Sequence, residues 1–117
     1  MDNFRPCPKP GRDRIKNPRL LTFIKETVNR CEWPNGCLSN GPFAAHHIYG
    51  RGSGGGKRDD HPECVAILCH PHHNLGPENA HDARWWNAEG QKRIQEHIMN
   101  SRGSEVWFVL LERAGRR

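Results

Sequence analysis

Two runs of sequence decide the fold: Phe43-Ala44-Ala45-His46-His47-Ile48-Tyr49 and, after a glycine-rich interval, Cys64-Val65-Ala66-Ile67-Leu68-Cys69-His70-Pro71-His72-His73. Each begins with a short apolar run whose length and aromatic or β-branched content fit a strand. The interval 50–62 holds five glycines and reads as a long loop. Pro71 follows the second run closely, at a position suited to the first turn of a helix, since proline lacks only an N–H that the first turn leaves unpaired. The order is therefore strand, loop, strand, helix.

Toward the N-terminus, Cys31-Glu32-Trp33-Pro34-Asn35-Gly36-Cys37 brackets a Pro-Asn-Gly turn with two thiols, a small knuckle. Before it, Pro18 opens a segment with Leu20, Leu21, Ile24 and Val28 at helical spacing, an amphipathic helix. Residues 1–17, with Pro6, Pro8, Pro10 and Gly11 among scattered cations and nothing periodic to bury, read as a basic, flexible arm. Toward the C-terminus, Asn79 or Asp82 caps a helix carrying Ala83, Trp85, Trp86 and Ala88, interrupted near Gly90 and resumed from Gln91 to Met99 with Ile94 and Ile98 on one face. Adjacent Trp85 and Trp86 cannot share one helical face, so one packs inward. The apolar run Glu105–Leu111 fits strand or buried helix equally. The expected class is α+β, with one domain over 18–117.

The chain has 117 residues, enough for one domain and too few for two ordinary ones. No apolar run approaches the 18 or so residues that span a bilayer, and no basic-then-apolar leader opens the chain, so a cytoplasmic location is expected. In that reducing compartment five cysteines point to metal rather than to a disulfide framework. The formal charge of +5 is uneven: residues 1–19 carry six Lys/Arg against two acids, whereas 31–82 sum to −3. Basic flanks around a slightly acidic, His- and Cys-rich middle suit a polyanionic partner outside and cations inside.

Structural zinc takes four thiolate or imidazole ligands, usually as two close pairs on two turns. Cys31 with Cys37 is one pair, and Cys69 with His72 is the other. Cys64 competes with His72. However, Cys64 and Cys69 stand five apart on one strand, and side chains alternate along a strand, so they point to opposite faces. The expected set is Cys31, Cys37, Cys69 and His72. With nine large apolar side chains in residues 31–82, a core this thin needs such a staple. Cys7 is given no role.

The remaining histidines suggest chemistry, because neutral imidazole can both bind a divalent cation and take a proton from water. From Cys31 to His73, and more weakly to Trp86, the chain resembles the HNH, or ββα-metal, endonucleases, in particular small phage-type members with a zinc knuckle. The carriers are Cys31 and Cys37, the doublet in Ala45-His46-His47-Ile48, the glycine loop from Gly50 to Gly56, Asp60-His61-Pro62, Val65-Ala66-Ile67-Leu68-Cys69 and His72-His73. The resemblance implies a ββα core over about residues 43–76 and DNA phosphodiester hydrolysis, nicking one strand per site, with His47 as general base. It implies a catalytic cation, Mg²⁺ or Mn²⁺ with Zn²⁺ and Ni²⁺ as further candidates, held by His46 and His73. Arg51 would help position phosphate, and Lys57 and Arg58 are further candidates for nucleic-acid contact.

Three positions depart from the family pattern. Cys64 stands where an asparagine usually braces the loop; Asp60 or His61 is the candidate substitute, with His61 also readable as a solvated loop histidine. Pro77 stands where a further metal ligand usually lies, and His81 is the candidate replacement. Ideal strand geometry also sends His46 and His47 to opposite faces, so joint work needs an irregular strand end or a substrate reaching around it. Two other readings follow from these departures: a catalytically inactive zinc-dependent nucleic-acid-binding module, and a zinc-ribbon adaptor for protein. No coiled-coil heptads announce a dimer, so a monomer or weak dimer is expected. Recombination, packaging or defence in a phage-infected cell is an association through the family alone.

Overall fold

The computed structural model describes residues 15–48, 59–82 and 84–115. Arg51, Lys57, Arg58 and the glycine loop lie outside the described residues, as do residues 1–14 of the basic arm. The element order is α1 (Pro18–Val28), β1 (Phe43–His47), a 3-10 turn (Pro62–Cys64), β2 (Val65–Cys69), a π-helical turn (Pro71–Leu75), α2 (Ala88–Ser101) and α3 (Ser104–Arg113). It is an α+β arrangement around one two-stranded antiparallel sheet.

The pairing register runs from Phe43 opposite Cys69 to His47 opposite Val65. Side chains directly opposite one another share a face, so this register sorts the sheet into two sides. Ala66 and Leu68 belong to a cluster with Trp33, Ile48, Trp85, Ile94 and Ile98, drawn from the knuckle and α2. Val65 and Ile67 belong to another with Leu20, Ile24 and Leu110, from α1 and α3. Covering both faces explains why all five residues of β2 are buried and why its sequence is continuously apolar rather than alternating. The run Glu105–Leu111, ambiguous in sequence, is therefore the helix α3 that closes the second face beside α1.

Among the described residues the outer edge of β2 is closed by Glu32 and Arg102 rather than by a third strand. Glu32 N–H donates to the Ile67 carbonyl (2.7 Å), and the Glu32 carboxylate accepts from Ile67 N–H (2.9 Å). Arg102, between α2 and α3, grips both oxygens of that carboxylate at 2.7 Å and donates to the carbonyls of Val65 (2.7 Å) and Pro62 (3.0 Å). Both charged side chains are wholly buried. A guanidinium suits this place because its fixed fork serves two carboxylate oxygens and two carbonyls at once.

α1 begins where the sequence says it should. Asn17 caps it, accepting from Arg19 and Leu20 N–H, and Pro18 fills the first position. The preceding residues are tied down: Asn17 N–H donates to Asp60 Oδ2 (2.7 Å), Asp60 N–H to the Ile15 carbonyl (2.8 Å) and Ile15 N–H to Asp59 Oδ1 (3.2 Å). The last three residues of the expected arm are thus part of the fold.

Two expected helices differ. After Cys69 the helix is a single π turn, ended when Gly76 N–H returns to the Pro71 carbonyl (2.8 Å) and Gly76 turns extended ahead of Pro77. Among the described residues from 79 to 87 there is no helix. Asn79, Asp82 and Asn87 accept from the N–H of His81 (2.9 Å), Arg84 (2.8 Å) and Gly90 (2.9 Å), each making its own turn instead of a single cap. Only the last starts a helix, and Gly90 lies inside its first turn without interrupting it. A Cβ there would collide with the Trp85 backbone, its Cα only 2.7 Å away, so glycine is required by close approach.

Two stability measurements test this packing. Gly90→Ala is expected to destabilise by about 1–3 kcal/mol through overpacking, although helix propensity alone favours alanine by about 1 kcal/mol; a raised urea midpoint would contradict the collision. Arg102→Met is expected to cost about 3–5 kcal/mol, because it strands the buried Glu32 carboxylate. A loss no larger than that of the exposed Arg30→Met would contradict the edge-closing role.

Candidate metal centres

The knuckle turn closes with Gly36 N–H on the Trp33 carbonyl (2.9 Å), and Glu32 holds this segment against β2, so Cys31 and Cys37 face the end of that strand. There Cys69 and His72 meet them. Cys37 Sγ lies 3.8 Å from Cys69 Sγ, while His72 Nδ1 lies 3.4 Å from Cys69 Sγ and 3.6 Å from Cys31 Sγ. A tetrahedron with ordinary zinc bond lengths has edges of about 3.8 Å between sulfurs and about 3.6 Å between sulfur and nitrogen. These three separations match such edges and all four ligand atoms lie within 4.8 Å of one another, so this Cys3His cluster can hold a structural metal ion such as zinc.

The surroundings orient the ligands. Trp33 stacks on the His72 ring at 4.8 Å and 5°, and its indole N–H donates to Glu78 Oε1 (3.1 Å). Burial pushes the Cys31 thiol up to about 12, which opposes an unpaired thiolate, and the same cause lowers the His72 imidazole. A metal ion held by these four residues would supply the compensating charge and displace the thiol protons. The three free cysteines among the described residues are the three in this cluster. Cys64 is not part of it and departs from the expected use of the cysteines: it is disulfide-bonded and buried in the 3-10 turn that precedes β2.

The second cluster is all histidine: His46, His73 and His81 bring one ring nitrogen each within 4.8 Å of the others. His46 is on β1 and fully buried, and His73 is in the π turn. His81 lies beyond the Gly76-Pro77 break but returns because Ala80 N–H donates to the His72 carbonyl (2.8 Å) and Asn79 forms the turn at His81. The His73 and His81 Nε2 atoms stand 3.3 Å apart, which matches the edge of about 3.3 Å that two imidazoles share on one tetrahedral ion. Trp86 stacks beside His81 at 5.1 Å, so the half-buried member of the Trp85-Trp86 pair walls this cluster. Trp85 packs inward on Trp33 (4.4 Å).

Two close nitrogens cannot both carry protons toward each other, and the electrostatics agree. Burial, followed by the neighbouring imidazoles, drives His73 down to about 4. His46 falls to about 3, first through burial, with an opposing contribution from Gln91 and further lowering from His81, His73 and His47. Both rings are neutral at physiological pH and have a lone pair to offer. His46 Nδ1 is buried with no hydrogen-bond partner among the described residues.

His47 stands apart. The regular register puts it opposite Val65, on the face away from His46, and its Nε2 lies 2.8 Å from Oδ1 of the fully buried Asp60. Asp60 is itself fixed by Asn17 and Ile15. Of the two candidates to brace this region, Asp60 makes the contact with the base candidate. His61 departs from the solvated reading: it is buried, and its Nδ1 accepts from Glu63 N–H (3.2 Å). Arg51, Lys57 and Arg58 fall outside the described residues. Sequence reasoning missed Gln91, which lies 45 residues from His46 with no motif to announce it.

Comparison of the chain with family models, curated proteins and solved structures returns no match to any of them. No helix among the described residues is long and apolar enough to cross a membrane.

Cys37→Ala is expected to lower the zinc content by one ion per chain. Structural zinc supplies about 10–16 kcal/mol in small domains, so chelation is expected to unfold the knuckle and loosen β2. Mass spectrometry under native conditions with parallel circular dichroism checks both. A stable fold holding no metal would contradict the staple.

Proposed function

We propose that the protein is a metal-dependent HNH-type endonuclease that hydrolyses DNA phosphodiester bonds, its sheet and π turn forming the ββα-metal unit. One observation carries this reading: adjacent residues of β1 place His46 in a three-imidazole cluster and His47 against a buried carboxylate. A structural role would need neither the stranded Nδ1 of His46 nor the paired Nε2 atoms of His73 and His81.

The donor set fits a divalent cation held by His46, His73 and His81, with imidazole favouring Zn²⁺ or Ni²⁺ over Mg²⁺ and Mn²⁺, the harder ions. When bound, the ion offsets charge developing on the phosphate and on the 3′ leaving oxygen. Asp60 accepts from His47 Nε2–H, which holds the ring in one tautomer and leaves Nδ1 to take the proton from water. As His47 becomes cationic, the Asp60 carboxylate stabilises it. Because Asp60 also accepts from Asn17 N–H, the base is tied to the start of α1 and keeps its orientation. Arg51, Lys57 and Arg58 are proposed phosphate contacts on the strength of the sequence, with DNA the partner.

Supercoiled plasmid incubated with each of Mg²⁺, Mn²⁺, Zn²⁺ and Ni²⁺ tests the reading. The parent protein is expected to nick it, and His47→Ala to abolish nicking with zinc content and circular dichroism unchanged. Asp60→Asn is expected to slow nicking by about 10²–10⁴-fold, the range general-base assistance supplies. Cleavage by His47→Ala at the parent rate would remove the base, and retardation of DNA on a gel without cleavage by the parent would favour a binding module.

A further inference from the structure

The Gln91 side chain is buried in the first turn of α2 and all of its described partners are fixed. Its amide nitrogen donates to the carbonyls of Ala80 (3.3 Å) and Trp85 (2.9 Å). Carbonyls only accept, so the amide cannot be turned over without setting oxygen against oxygen. Its Oε1 therefore faces His46 Nε2, at 2.8 Å. An amide oxygen can only accept, which requires His46 to carry its proton on Nε2. A neutral imidazole has a single N–H, so Nδ1 holds the lone pair. That atom is buried and has no hydrogen-bond partner among the described residues.

We infer that Gln91 is a positioning residue: it sets the Nε2–H tautomer of His46 and so makes Nδ1 the atom His46 offers to a divalent cation shared with His73 and His81. The inference rests on the metal-dependent reading above. The helix start serves the same end. Gly90 lets α2 approach the Trp85 backbone, and Gln91, the next residue, spends both amide protons on the segment that carries His81 and Trp86. One side chain thereby locks the ligand on β1 and braces the loop that carries another ligand. Outer-shell partners of this kind typically contribute about 10–100-fold to metal affinity.

The tautomer is read directly in the unaltered protein by long-range ¹H–¹⁵N correlation of the histidine rings, with one zinc per chain on the thiolate cluster. The expected result is His46 protonated on Nε2; protonation on Nδ1 overturns the inference. Co²⁺ is then titrated into the same zinc-loaded protein and followed by its visible absorption. The parent is expected to take one ion without a thiolate-to-cobalt band, and Gln91→Met, which keeps volume but accepts nothing, to bind it about 10–100-fold more weakly with the thiolate cluster still loaded. Equal affinity in Gln91→Met overturns the role of Gln91 alone. Failure of the parent to take any Co²⁺ overturns the metal reading and this inference with it. Should Gln91→Met not fold, the tautomer in the parent decides.

Discussion

The buried Arg102–Glu32 pair on the outer edge of β2 is the interaction on which the rest of the structure depends. A two-stranded sheet has two unpaired edges, and a bare edge buried under a helix would leave carbonyls and N–H groups without partners. Here one carboxylate and one guanidinium from positions 70 apart close that edge, and both charges are satisfied by the groups they serve. The consequences run in two directions. Glu32 fixes the residue beside Cys31 and so holds the knuckle against Cys69 and His72, while Arg102 fixes the junction of α2 and α3 and so sets the approach of both helices to the sheet. Burying such a pair costs desolvation, and its return is one arrangement of edge, knuckle and helices.

From that frame the register of β1 against β2 divides the histidine doublet. His46 enters the face built by the knuckle and α2, where burial keeps imidazoles neutral. His47 enters the face closed by α1, where Asp60 waits. Strand alternation, which in sequence looks like an obstacle to shared work, is what gives the two rings different chemistry: one surrounded by imidazoles, the other by a carboxylate. Each ring has its own partner, Gln91 on α2 for His46 and Asp60, ahead of the 3-10 turn, for His47.

Much of this was legible in residues 18–73. Pro18, with apolar residues at helical spacing, fixes α1 because first turn and buried stripe agree. The two apolar runs specify strands, and the spacing of Cys31, Cys37, Cys69 and His72 specifies a four-ligand set because a tetrahedron needs two close pairs. Less was legible from 76 to 90. Asn79, Asp82 and Asn87 all look like caps, and a side chain that can cap a helix can equally close an isolated turn. Gly90 looks like a break until the Trp85 backbone is seen pressed against it.

The sequence by itself determined the α+β class, α1, the strand pair and the thiolate–imidazole set, since these rest on local periodicity and on ligand spacing along a short stretch. Tertiary structure alone decided that the run at 105–111 is a helix, that Arg102 reaches Glu32, that His81 returns to His73, and that Gln91 and Asp60 face the two histidines of the doublet. Those pairings join distant residues. Hydrogen bonds and ligand contacts form only within a few ångströms, and no local pattern in the chain records which distant groups folding will bring within that reach.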